Sequence, residues 1–167
     1  THVVMEVSSH ALELGRVTGV EFDVAGFTNL SQDHLDFHPT MAEYFEAKAR
    51  FFRPDSELTA RTAVVCVDDD WGERMASVAG EGVVRVGTRG QERLDYSATR
   101  ISQDASGAQE LAISHGQTSI EVHMPLPGSF NIANTALAVA MAVTAGVEPG
   151  PFVEGLAQVA VPGRMER

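Results

Sequence analysis

The sequence predicts an α/β fold: a mostly parallel sheet flanked by helices, with an antiparallel meander along one edge. Three observations carry that prediction. Short valine-rich runs at 3–7 (VVMEV), 23–29 (DVAGFTN), 62–67 (TAVVCV) and 83–87 (VVRVG) are continuous in hydrophobicity, as strands covered on both faces are. Segments of helical character separate them, which is the rhythm of strand–helix–strand crossovers. From Tyr96 the texture changes to short alternating stretches at 96–103, 109–114 and 118–124. The clusters DASG (104–107) and HGQ (115–117) divide them, and the pattern reads as a meander.

Each element has a local reason. VVMEV is expected as a buried parallel strand, with Ser8 to Glu13 following as a turn into a short helix. Thr40, with Glu43 three residues on, forms a capping box for a helix from about Met41 to Phe52, which stops before Pro54. Asp68, Asp69 and Asp70 make the loop and N-cap of a helix over 70–79. PLPGSFN (125–131) is a loop. A long buried helix is expected over about 130–145, and a last short one after Pro149-Gly150-Pro151.

The bulk properties bound what the chain can do. Its 167 residues, 44% hydrophobic and 21% charged, suit one globular domain with a sizeable core. A formal net charge of −11 argues against a basic face and so against a nucleic-acid partner. Phosphate binding in so acidic a chain needs local arginines, helix N-termini or a divalent cation. The one cysteine, Cys66, lies in an apolar run. It reads as a small buried strand residue, and with no internal disulfide possible it suits a reducing cytoplasm. No signal peptide is visible. The longest apolar run, 132–147, is interrupted by Asn134 and two threonines and is too short for a membrane span. The chain opens directly on a strand and ends just past a Pro-Gly, so both ends read as cut from something longer.

Open α/β sheets bind ligands at the carboxyl ends of their strands, and two polar clusters fall there. Glu6, Ser8, Ser9 and His10 stand at the end of the first run. Asn29, Asp33, His34, Asp36 and His38 follow the second, ahead of a helix that carries Lys48. Lys48 is the only lysine; every other residue among the 12 basic ones is an arginine. A partly buried lysine can lose its proton and act as a nucleophile, which arginine cannot. Glu6 can serve as a hard oxygen ligand, or cap a helix or pair with Arg16. His34 and His38 have the i,i+4 spacing of a helical zinc pair, but Pro39 disfavours helix at His38 and no third ligand stands out. Asn131 and Asn134 begin the apolar helix, where amides can cap it or read a base edge. Arg164 is a chain-end arginine or a phosphate or ribose contact. His2, His115 and His123 belong to no constellation and read as strand or loop residues.

Five motifs in order, MEVSSHAL, FTNLSQDHLDFH, YFEAKA, PLPGSFNIANTALA and VPGRMER, resemble the central domain of the Mur ligase family, most closely its MurE-type branch. The resemblance covers essentially the whole chain. It implies the P-loop-type Mur ligase central fold and an ATP-dependent ligase that adds the third stem-peptide residue to UDP-MurNAc-L-Ala-D-Glu through an acyl phosphate, in peptidoglycan synthesis. It implies that Glu6 and His34 are magnesium ligands, that Lys48 is carbamylated by CO₂ and joins the metal site, and that Ser8 and Arg16 contact the UDP-MurNAc-dipeptide. It further implies that Asn131 and Asn134 lie on the adenine side and Arg164 near the nucleotide. Leu14 departs from the glutamine of some relatives, which removes one polar substrate contact. ATP and Mg²⁺ are the implied cofactors.

Residues 1–167 form a single domain on this reading. The N-terminal UDP-binding domain, the GxxGKT phosphate loop and the C-terminal domain lie outside the chain, so the 167 residues alone are expected not to ligate. General resemblance favours meso-diaminopimelate over L-lysine as the added residue, with no residue here to decide it. Another Mur ligase, a folylpolyglutamate synthetase-like ligase, or a non-catalytic module that kept the fold remain as alternatives.

Overall fold

The structure, a computed structural model, describes residues 2–31 and 38–159. Six strands among the described residues form one sheet in chain order: β1 Val24–Phe27, β2 Thr62–Cys66, β3 Val84–Gly87, β4 Tyr96–Gln103, β5 Gln109–His115 and β6 Thr118–Met124. β1 to β4 run parallel, and β4 to β6 form the expected antiparallel meander at one edge. The helices are α1 Ser9–Glu13, α2 Met41–Ala49, α3 Asp70–Ala79, α4 Phe130–Thr144 and α5 Pro149–Leu156.

Alternation along β2 divides the interior into two cores. Val65 and Val67 face one side, with Phe27, Leu12, Phe45 and Met75. Val64 and Cys66 face the other, with Val86, Leu111, Ile113, Leu137 and Val139. Helices α1 to α3 therefore cover one face and α4 the other, in three layers. Each fully buried aliphatic side chain contributes about 1.5–3 kcal/mol through water release, which explains why β2 carries apolar residues on both faces.

Two glycines permit the close approaches this layering needs. A Cβ on Gly26 of β1 would fall 2.2 Å from the sulfur of Met141 on α4. One on Gly72 of α3 would fall 2.0 Å from the carbonyl oxygen of Cys66. At the far end of β2, Asp68 ties the neighbouring strand: its carboxylate accepts from the Thr88 amide at 2.7 Å, the Thr88 hydroxyl at 2.6 Å and the Gln91 amide group at 2.9 Å.

The helix boundaries follow their caps. Thr40 Oγ1 accepts from the Glu43 amide at 3.2 Å, and Glu43 Oε2 accepts from the Thr40 amide at 3.1 Å, completing the capping box. Asp69 caps α3 by accepting from the Gly72 amide at 2.7 Å. Helix α2 ends at Ala49, three residues earlier than its expected end at Phe52. There the chain tightens into i→i+3 bonds, from the Phe51 amide to Lys48 O and from the Phe52 amide to Ala49 O, which tuck both rings into the core. Helix α5 starts on Pro149 itself rather than after Pro151, since proline suits the first helical turn, where its missing N–H is not needed.

The strand expected at 3–7 is not formed. Residues 2–8 have no regular structure, and Val3 and Val4 are 87% and 90% exposed. β1 is the terminal strand of the sheet, and this segment does not pair with it. An apolar, valine-rich run supplies side chains suited to a sheet, but the ladder bonds must come from a neighbouring backbone.

Candidate active site

The residues with chemistry to offer fall in two groups, one around α1 and α2 and one at the start of α4. Ser8 is the N-cap of α1, its Oγ accepting from the Ala11 amide at 3.2 Å. Glu6 lies two residues before it, exposed. Arg16, in the turn after α1, is also exposed.

Lys48 sits in the last turn of α2, half-buried. Burial holds its ammonium below the ordinary lysine range, because a charge loses hydration there, and the Glu6 carboxylate pulls in the opposite direction. These two residues, 42 positions apart in sequence, therefore act on each other electrostatically. Three rings lie beside the lysine in succession. Lys48 Nζ is 5.3 Å from the centre of the Tyr44 ring, one turn back on α2. His38 stacks on Tyr44 with centroids 5.1 Å apart and planes 18° from parallel. The ring of His10 on α1 follows, 6.0 Å from that of His38.

His38 precedes α2 and is not on a helix, so the i,i+4 zinc geometry with His34 is not met at that residue. Among the described residues no group of three His, Cys, Asp or Glu side chains could hold a metal ion. Asp33, His34 and Asp36, in 32–37, and Arg164, in 160–167, lie outside the described residues.

The start of α4 carries the second group. Asn131 is 8% exposed and spends its side-chain N–H on the carbonyl of Pro127, at 2.8 Å. Gln109, fully buried on β5, donates to the carbonyls of Leu126 and Gly128 at 3.0 and 3.1 Å. Two buried amides thus hold the loop before α4. Asn134 is exposed one turn into the helix, and Phe130, 57% exposed, lies four residues before it on the same face.

Tyr44 and Gln109 went unnoticed in sequence. The i,i+4 spacing of Tyr44 and Lys48 was the available signal for the first. Nothing local marks Gln109, whose partners lie 17 and 19 residues away. His115 Nδ1 donates to the Asp95 carbonyl and His123 pairs with Glu110, and both lie on strands, within the expectation of strand or loop residues.

A mostly parallel sheet with an antiparallel edge, covered by helices on both faces, defines an open three-layer α/β domain. The chain belongs to the Mur ligase middle domain family, whose model matches residues 1–142. It is 62% identical over its whole length to a UDP-N-acetylmuramoyl-L-alanyl-D-glutamate–2,6-diaminopimelate ligase of Corynebacterium glutamicum, and 58% identical to the ligase of the same name from Corynebacterium efficiens. The chain spans 32% of each of those relatives. A solved structure of a 2,6-diaminopimelate ligase superposes with a TM-score of 0.81 at 32% identity, covering 96% of this chain and 33% of that one.

Proposed function

We propose that this chain supplies the metal-and-carboxylate part of an ATP-dependent amide ligase that joins meso-diaminopimelate to UDP-MurNAc-L-Ala-D-Glu in peptidoglycan synthesis. The observation that carries this reading is the 62% identity along the entire chain to a ligase of that name. The same relatives favour the MurE type over other Mur ligases or a folate-type acceptor. They also favour diaminopimelate over L-lysine.

The chemistry of these residues suits the reaction class. A carboxylate of the acceptor peptide must attack the terminal phosphorus of ATP, displacing ADP and forming an acyl phosphate. The incoming amine then attacks the acyl carbon and phosphate leaves. Repulsion between anions is the obstacle, and bound Mg²⁺ supplies the charge that screens it.

Within that frame Glu6 offers an oxygen donor, and Lys48, as a carbamate, a second on a longer arm. The described residues fit such a cation in donor type, and only in small number. His34 is proposed as a ligand to a second ion, with waters and phosphate oxygens completing both shells. Ser8 and Arg16 are proposed as contacts to the peptide substrate. On the nucleotide side, Asn134 presents an amide edge to the adenine. Asn131 acts from the base of the same helix by bracing the loop that sets its position, and Arg164 is proposed near the nucleotide at the junction with further domains. No described helix is long and apolar enough to cross a membrane, and a cytoplasmic location suits a ligase that consumes ATP.

The test is phosphate release by the full-length protein with ATP, Mg²⁺ and UDP-MurNAc-L-Ala-D-Glu, comparing meso-diaminopimelate with L-lysine. Turnover with diaminopimelate and not lysine is expected. Turnover with neither, in a folded protein that binds ATP, sinks the reading.

A further inference from the structure

The rings between α1 and α2 do more than fill space. A lysine has four rotatable side-chain bonds and ordinarily reaches for water. Lys48 does not reach it freely: its Nζ is 5.3 Å from the centre of the Tyr44 ring. Tyr44 is itself 5% exposed and fixed on its own turn of α2, with the ring of His38, 4% exposed, stacked at 5.1 Å. His10 continues the series onto α1, at 6.0 Å from His38. Helix α1 is entered through Ser8, two residues after Glu6. The run of rings therefore connects α2, which carries the lysine, with α1, which follows the segment that carries Glu6.

We propose that Tyr44, backed by His38, is a positioning residue that holds the Lys48 nitrogen where it reacts with CO₂ and where the product then faces the site of Glu6. The proposal rests on the reading of Lys48 as a carbamate. In the step itself, the lone pair of neutral Nζ forms a bond to the carbon of dissolved CO₂. One C=O π pair moves onto oxygen, and an N–H proton leaves to solvent, giving an N-carboxylate and one proton. Tyr44 takes no part in bond making. Its face accommodates the resting ammonium, so the side chain is in place before it loses its proton. Its bulk bars the rotamers that would carry the nitrogen to solvent.

The experiment uses the full-length protein equilibrated with ¹³C-labelled CO₂ and bicarbonate, with the carbamate read by ¹³C NMR and Lys48→Met as the blank. Tyr44→Phe keeps the ring and is expected to hold carbamate occupancy within about twofold of wild type, while Tyr44→Leu, still folded by circular dichroism, is expected to lose about fivefold or more. His38→Ala leaves α2 intact and removes the backing ring; it is expected to lower occupancy by about twofold to fivefold, with His38→Phe restoring it. Should Tyr44→Leu not fold, the His38 pair decides the matter. Wild-type occupancy in folded Tyr44→Leu, or in His38→Ala, overturns the proposal. So does a Tyr44→Phe loss as large as that of Tyr44→Leu, since the hydroxyl and not the ring would then be responsible. A wild-type protein with no carbamate signal overturns the reading of Lys48, and this inference with it, whereas a wild-type signal indifferent to both rings overturns the inference alone.

Discussion

Gly72 lies directly beneath the carbonyl of Cys66: a Cβ built on it would stand 2.0 Å from that oxygen and 2.9 Å from the Cα of Val67. Both neighbours are backbone at the end of β2, so neither can move without moving that strand. At Gly26 the atom in the way is the flexible end of Met141, 2.2 Å off. Gly72→Ala is therefore expected to destabilise at the upper end of the overpacking range, about 3 kcal/mol or more, and Gly26→Ala by about 1 kcal/mol as Met141 repacks. Urea titration of the two variants checks the order, and equal midpoints would contradict it.

Thr40 and Glu43 bond reciprocally at the start of the helix that carries Lys48. Thr40→Ala is expected to cost about 1 kcal/mol, roughly 2–4 °C in melting temperature for a domain of this size. Thr40→Ser keeps the acceptor and is expected to recover most of that.

Burial pushes the Cys66 thiol up to about 11 from an ordinary 9.0, chiefly because the thiolate loses hydration. Between those values the unfolded chain gives up the proton and the folded chain keeps it. The contribution is thus fully present below about 9 and is lost as pH rises through about 11. Denaturant midpoints measured across that window should fall with pH in the wild type and fall less in Cys66→Ala.

Lys48 moves the other way. Its folded pKa lies below the ordinary 10.5, mainly through burial. Between the two values the unfolded chain holds the extra proton, so stability rises with pH there, and below the folded value an unmodified lysine carries the cost of a poorly hydrated ammonium. Lys48→Met is expected to leave melting temperature unchanged or raise it, while reducing ligation by the full-length protein about a hundredfold or more. A variant that is both unstable and active would refute the assignment.

Asn131 and Asn134 separate by role. Asn131→Ala removes the donor to Pro127 O and is expected to cost about 1 kcal/mol of stability. Exposed Asn134→Ala is expected to leave stability within about 0.5 kcal/mol but to weaken ATP binding by the full-length protein about tenfold, the scale of one lost polar contact. Calorimetric titration with ATP, beside a thermal melt of each variant, distinguishes the two.

Much of the fold was legible because the signals are local. The capping residues Thr40 and Asp69, the valine runs of β2 and β3, and the alternation of β4 to β6 each lie within a few residues of what they specify. The misreading at 3–7 has the same root: a hydrophobic run reports the preference of the side chains and not the presence of a neighbouring backbone. For the candidate site, the singular Lys48 and the acidic Glu6 stood out by residue type. The rings that surround Lys48 did not, because aromatic residues are ordinary in a core.

By itself, then, the sequence determined the order and kind of the elements from α1 onward, their caps, the change from parallel to antiparallel texture, and the residues whose chemistry is worth asking about. Only the tertiary structure decided that residues 2–8 stay outside the sheet and that Asn131 turns inward while Asn134 stays exposed. It also decided that Tyr44, beside Lys48, stacks with His38, whose ring in turn meets that of His10 at a tilt. The physical reason is distance along the chain. Periodicity and capping are set by neighbours in sequence, whereas stacks, braces and strand pairing arise where segments far apart meet, and no short stretch carries the record of that meeting.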